Sequence, residues 1–188
     1  EAKIRVEEAG FTNVVIQQGD IFELSFGEEQ FDHIFVCFVL EHLSNPIKAL
    51  YSLKKILKAG GTITVIEGDH GSAFFYPDSE EANEAIRCQV ELQKRVGSNA
   101  NIGRELYPIL NKVGFSSIRV SPRMVYVDSS KPPLVEGFTK KTFTAMIEGV
   151  REAAFEAGII DQPVFDKGIK DLYRTTEEDG VFCYTFFK

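Results

Sequence analysis

Residues 31–43 read FDHIFVCFVLEHL and residues 53–71 read LKKILKAGGTITVIEGDHG. These two stretches decide the fold. His33 to Phe38 is almost wholly apolar, as a strand buried on both faces of a parallel sheet must be. Asn45 then offers a helix cap, Pro46 suits the first helical position, and Leu50, Leu53 and Leu57 recur on one stripe. Lys54, Lys55 and Lys58 favour the end of that helix, and Gly60-Gly61 stops it. A second apolar run, Thr62 to Ile66, follows at once. Strand, helix, strand at this spacing predicts a right-handed parallel crossover. The carboxyl ends of both strands then lie on one edge, where open α/β sheets bind their ligands. That edge receives Cys37, Phe38, Val39, Leu40, Glu41 and His42 from the first strand, and Glu67, Asp69 and His70 from the second.

Outward from this unit the same alternation continues. A helical stub from Ala2 to Ala9, stopped by Gly10, precedes a predicted strand Val14 to Gln17. Further strands are expected from about Ile118 to Val125 and, strongly aromatic, from Val181 to Phe187. A helix from Ser79 to Val96 carries Ala85, Cys88, Leu92 and Val96 on one stripe, and another runs from about Arg104 to Lys112, with Pro108 near its start. Residues 126–180 form an insertion before the last strand, with helices predicted over Thr139 to Ala157 and Pro163 to Thr176. An inserted helical pair at this point is expected to cap one end of the sheet and shape a substrate pocket. The class is α/β, in one domain spanning residues 1–188.

Composition narrows the function. The longest apolar run, Ile34 to Leu40, is far short of the ~20 residues a bilayer helix needs, so no membrane span is expected. With 28 acidic against 21 basic side chains the net charge is -7, which argues against nucleic-acid binding by bulk positive field. Cys37, Cys88 and Cys183 form an odd set without metal-ligand spacing, so neither zinc nor a disulfide framework is expected. A reducing cytoplasm is the expected location.

The ordered set of words resembles the class I S-adenosylmethionine-dependent methyltransferases, nearest to the small-molecule branch that includes ubiquinone and menaquinone biosynthesis enzymes. The words are GDI with LSF (residues 19–26), FDHIFVCFVLEHL, LKKILKAGGTITVIE, and LYPILNKVGFSSIRV (residues 106–120). Ala59 stands where that family's pattern has proline. The resemblance implies a Rossmann-like sheet, mostly parallel with a reversed last strand, and S-adenosylmethionine as cofactor. It also implies roles residue by residue. Read alone, Gly19-Asp20 is first a turn signal; in the resemblance Asp20 matches the acid that takes the adenine amine, with Ile21 beside the ring. Cys37 and Phe38 match the strand end whose backbone meets the methionine moiety, and Val39 and His42 lie on the loop beneath the sulfonium. The family's glycine-rich loop and ribose-binding acid are not in this sequence. The expectation is therefore a sheet lacking its first two strands, completed by an upstream segment or a second copy, and less stable alone than in an extended form. The acceptor is expected to be a small molecule attacking through O, N or C. The alternative is a non-catalytic methyltransferase-like module that binds a partner. A nicotinamide-dependent dehydrogenase fits the segments poorly.

Methyl transfer from a sulfonium asks the protein for alignment and exclusion of water, and for a general base only when the nucleophile arrives protonated. His42 and His70, both at predicted strand ends, are the candidates. His42 reads equally as a local cap before Asn45, and His70 as a loop residue. Glu67 and Asp69 read as an exposed acidic loop or as substrate-orienting groups. Phe74, Phe75 and Tyr76 suit an apolar acceptor or simply pack beneath the following helix. Cys37 reads as a buried, inert strand residue. Arg104 and Arg123 are candidates for an anionic substrate group, and His33 reads as structural.

Overall fold

The computed structural model describes residues 1–188. Helix α1 (Ala2–Glu8) is followed by strand β1 (Phe31–Cys37), helix α2 (Pro46–Ile56) and a long strand β2 (Leu57–Tyr76). Helices α3 (Glu80–Arg95) and α4 (Leu106–Val113) lead into β3 (Pro122–Asp128). The insertion comprises a short α5 (Pro132–Leu134), a π-helical segment (Val135–Thr144), α6 (Ala145–Glu148), α7 (Arg151–Glu156) and α8 (Gln162–Arg174), before β4 (Val181–Phe187) closes the sheet. No helix is long and apolar enough to cross a membrane.

The four strands lie in the order β1-β2-β4-β3. β1 pairs parallel with the first half of β2, from Phe31 opposite Leu57 to Cys37 opposite Ile66. β4 runs antiparallel to the second half of β2, with Glu67 opposite Phe187, and antiparallel to β3. Three strands thus share a direction and the last is reversed. Because β2 outruns β1 by half its length, its second half projects past the carboxyl end of β1, and the inserted helices pack against that projection.

The local signals act as their chemistry dictates. The Asn45 side chain accepts a bond from the Lys48 amide at 2.9 Å, capping α2. Ser79 does the same for α3, accepting from the Ala82 amide at 3.1 Å. Lys54 does more than complement a helix end: its ammonium donates to the carbonyls of Val113 and Gly114, satisfying the last turn of α4. Two cores result. One lies between α2, α4 and the first half of β2, around Leu40, Leu50, Val65, Ile102 and Leu106. The other joins the insertion and α3 to the far half of the sheet through Phe143, Phe165, Leu172, Phe182 and Tyr184. Each buried leucine or phenylalanine contributes roughly 1.5–3 kcal/mol to this packing.

Several expectations need correction. Val14 to Gln17 is not a strand, and Val15 is 87% exposed. A strand persists only with a hydrogen-bonded neighbour, and no strand lies on the outer side of β1. The run Thr62 to Ile66 is only a quarter of the 20-residue strand β2. The strand expected at Ile118 begins at Pro122, because β4 ends opposite it and offers residues 118–120 no partner. The helix expected from Thr139 to Ala157 is three pieces, a π segment, α6 and α7, broken at Gly149 and Val150.

Candidate functional site

The site begins at Phe38, where β1 stops. Its amide still donates to the Ile66 carbonyl at 2.8 Å, but its φ of 51° lies in the left-handed region, which a bulky residue enters at a cost of about 1–3 kcal/mol. The neighbouring strand holds the chain there. The Glu67 carboxylate, fully buried, accepts bonds from the amides of Val39 (3.1 Å), Leu40 (2.8 Å) and Glu41 (3.3 Å). These are the orphan donors of the single 3-10 turn Leu40–His42, so one side chain from β2 caps the loop that leaves β1. The far side of the loop is held as well: the Asn99 amide donates to the Glu41 carbonyl and the Ser98 hydroxyl to the His42 carbonyl.

Four ionisable or polar side chains gather on this clamp. Glu41 is 5% exposed, and its Oε2 has no hydrogen-bond partner. Burial, seconded by the Glu67 charge, pushes its carboxyl up to about 7. Burial also raises Glu67, but three amides oppose the shift, so of the two carboxyls Glu67 is the one built to hold charge. Tyr184 brings its hydroxyl over Gly68, where a side-chain carbon would stand only 2.1 Å from it and 3.2 Å from Glu41 Oε2. Burial and the Glu41 charge push the Tyr184 hydroxyl well above its usual range. His70 lies beside the Tyr184 and Phe143 rings, 5.7 Å and 6.2 Å between centroids. It is buried, its Nδ1 lacks a partner, and burial depresses it to about 4. His42 is the outermost member, its side chain 60% exposed and its Nε2 3.2 Å from Glu41 Oε1.

The residues singled out in the sequence are placed as follows. His42, Val39, Phe38 and Cys37 all lie at the carboxyl end of β1, and His70 lies nearby on β2 rather than in a loop. Asp20 is exposed and folds a turn by accepting the Phe22 amide at 2.8 Å. Ile21 packs at the margin of the first core. The Phe22 ring lies under the Lys48 ammonium, 5.3 Å away, which ties this turn to the start of α2, just beyond the β1 loop. Cys37 is exposed, not buried, because it ends a strand whose outer side is unpaired; desolvation and the Glu67 charge nevertheless raise its thiol. Glu67 and Asp69 are strand residues in the interior, not an exposed acidic loop. Arg104 is engaged by Asp69, its Nε and Nη2 donating to the two carboxylate oxygens at 2.9 and 2.5 Å. His33 meets the Thr62 hydroxyl at 2.7 Å. Phe75 stacks on Phe182 in the core, whereas Phe74 and Tyr76 face outward.

Tyr184 is the functional candidate that the sequence reading passed over. It sits in a run of aromatics, VFCYTFF, that reads as core packing, and only the pairing of β4 with β2 carries its hydroxyl to Gly68. The roles of Glu41 and Glu67 were also hidden, since acidic residues at strand ends are usually solvated.

Comparison with known proteins accords with this geometry. Residues 1–114 match the family described as a methyltransferase domain. An uncharacterised methyltransferase of Schizosaccharomyces pombe is 34% identical over 94 residues, which is 50% of this chain and 34% of that protein. The demethylmenaquinone methyltransferase of Bacillus subtilis is 24% identical over 70 residues, 37% of this chain and 30% of its own. The chain therefore spans only about a third of each of these relatives. Among solved structures, the Bacillus halodurans methyltransferase-type protein BH2331 superposes with a TM-score of 0.55 at 15% identity, covering 99% of this chain and 74% of its own. The YcgJ protein of Bacillus subtilis gives 0.51 at 17% identity with the same coverage. At such identities the two structures speak for the fold. The match over residues 1–114 shows the family: this chain belongs to the methyltransferase-domain family.

Proposed function

We propose that this chain takes part in S-adenosylmethionine-dependent methyl transfer to the O, N or C nucleophile of a small molecule. The observation that carries the proposal is the set of groups around the carboxyl end of β1: the open strand end at Cys37 and Phe38, the clamped turn ending in His42 and, tied to the start of α2 through Phe22 and Lys48, the turn at Asp20. The residues present fit that cofactor at its adenine and sulfonium ends. Asp20 is exposed and, beside the bond its Oδ1 accepts from the Phe22 amide, has a second oxygen to accept a hydrogen bond from an amine; Ile21 offers an apolar flank, and Val39 and His42 form a floor that Glu67 fixes. When bound, S-adenosylmethionine supplies an electrophilic methyl group. The chain's own residues supply a rigid turn, an apolar wall from Phe38 and Phe186, and a side chain, His42, able to take a proton. The helices between residues 132 and 174 form the wall from which the acceptor is selected. In this reading the outer edge of β1, where Phe35 stands 60% exposed, is covered by further strands or a second copy. No nucleic-acid or membrane partner is proposed, and the three free cysteines suit a reducing cytoplasm.

The test is calorimetric binding of S-adenosylhomocysteine to the 188-residue chain. One-to-one binding at micromolar concentration supports a cofactor site held by these residues. No binding at millimolar concentration, by this chain or by one extended until the outer edge of β1 is covered, refutes the proposal.

A further inference from the structure

Beneath His42 lies a carboxyl group that methyl transfer as such does not call for. Glu41 is an interior residue on a one-turn helix, and nothing in the packing requires a charge there. Its Oε1 lies 3.2 Å from His42 Nε2, its side chain is 6% exposed against 60% for the imidazole, and its Oε2 is unpartnered. The backbone that carries both residues is immobilised from two sides, by the Glu67 carboxylate and by Asn99 and Ser98. A buried carboxyl held rigidly behind a half-exposed imidazole is the arrangement that orients a general base.

We propose that Glu41 is the positioning residue of a Glu41–His42 pair that takes a proton from the acceptor, and that the acceptor is therefore a nitrogen or oxygen nucleophile that arrives protonated. The inference rests on the methyl-transfer reading and narrows its substrate. With Nε2 turned to Glu41, Nδ1 is the ring nitrogen that a molecule outside the chain meets. The acceptor's N–H or O–H bond breaks, a new N–H bond forms at Nδ1, and the electron pair stays on the acceptor as its nucleophilic pair. The positive charge that appears on the imidazole is met by the Glu41 carboxylate 3.2 Å away and, deeper in, by Glu67, which also feels the His42 charge. The surroundings agree. Groups facing Glu41 are Glu67 and Tyr184, and Asp69, which also bears on the Tyr184 hydroxyl, is already neutralised by Arg104; none offers Glu41 a competing cation, while His70 bears on His42. Glu41 is also poised to change charge near neutral pH, since its carboxyl titrates at about 7.

The experiment reads His42 directly, without an acceptor or cofactor. Diethyl pyrocarbonate acylates neutral imidazole nitrogen, and peptide mass spectrometry gives the rate at His42 relative to His33, an exposed histidine remote from Glu41. At pH 8, Glu41→Gln is expected to lower the His42-to-His33 ratio by about 3–10-fold, the effect of about 0.6–1.4 kcal/mol of lost charge support. Glu41→Asp is expected to restore most of it. A purely structural role for Glu41 would loosen the turn and raise the ratio, so an unchanged or increased ratio overturns the proposal. Should the variants fold poorly, the wild type suffices: its ratio is expected to climb from pH 6 to pH 8 as Glu41 ionises, and a flat ratio overturns the proposal. Calorimetry with S-adenosylhomocysteine judges the methyl-transfer reading separately. Loss of binding with an intact acylation pattern removes the reaction and keeps the pair; the converse removes the pair alone.

Discussion

Replacing Glu67 is the perturbation that tests the site most sharply. Glu67→Leu keeps the volume roughly constant but leaves the amides of Val39, Leu40 and Glu41 facing an apolar group in the interior. A buried donor left unpaired costs about 1–3 kcal/mol, and hydrogen bonds to an ionised acceptor sit in the upper part of that range. Three such losses, less the desolvation of a buried carboxylate that leucine no longer incurs, leave a net of about 3–5 kcal/mol. For a chain of this size each kcal/mol moves the melting temperature by about 2–4 °C, so a drop of about 6–20 °C is expected. Glu67→Gln separates charge from connectivity. Its carbonyl oxygen keeps the bonds from Val39 and Leu40, both made to Oε1, while its amide nitrogen faces the Glu41 amide, donor against donor. The loss should be about 1–2 kcal/mol, or about 5 °C. Differential scanning calorimetry at pH 8 gives both numbers. If Glu67→Leu melted within 2 °C of the wild type, the clamp would not be what holds this turn.

The remaining predictions use other parts of the site. Glu41, with its carboxyl raised from 4.5 to about 7, stabilises the fold fully below pH 4.5 and loses that contribution as pH rises through 7, on the order of 3 kcal/mol. His70, lowered from 6.5 to about 4, does the reverse: its contribution is present above pH 6.5 and lost as pH falls through 4. The two slopes oppose each other between about pH 4.5 and 6.5, so Glu41→Leu should show stability rising more steeply with pH there than the wild type, and His70→Phe should show it falling; parallel curves in urea titrations would contradict this. Gly68→Ala sets a methyl carbon 2.1 Å from the Tyr184 hydroxyl and should cost about 2–3 kcal/mol, with at least half recovered in a Tyr184→Phe background. A chemical-denaturation double-mutant cycle showing no coupling would dismiss that contact. Phe35→Lys on the open edge of β1 should reduce self-association in sedimentation velocity while shifting the melting temperature by less than about 2 °C, since Phe35 is 60% exposed.

Much of this protein was legible in its sequence because the signals are local. Asn45, Pro46, the leucine stripe and Gly60-Gly61 each act within one turn of their own position, so the β1-α2-β2 unit and the edge it creates follow from the chain alone. The family words gave the order of the elements and set Phe38 and His42 just past the end of β1. The strand that failed had a non-local cause. Val14 to Gln17 has strand-like side chains but no neighbouring strand, and β-structure is made by pairing. The helix expected from Thr139 is divided at Gly149-Val150, a local weak point for a helix that the apolar stripe on either side outweighed in the reading.

The chemistry of the site belongs to the tertiary structure. Glu67, Glu41 and Tyr184 are separated by 26 residues or more along the chain. Whether a carboxyl is a solvated surface group or a buried clamp depends on which amides and which neighbouring charge the fold brings to it. The sequence determined that an acid, Glu67, would follow the Thr62–Ile66 run and that a second, Glu41, would stand with His42 just past the end of β1. Only the parallel pairing of those strands, and the antiparallel return of β4 across β2, decided that the first acid would hold the loop, the second would lie behind His42, and a tyrosine would close over both.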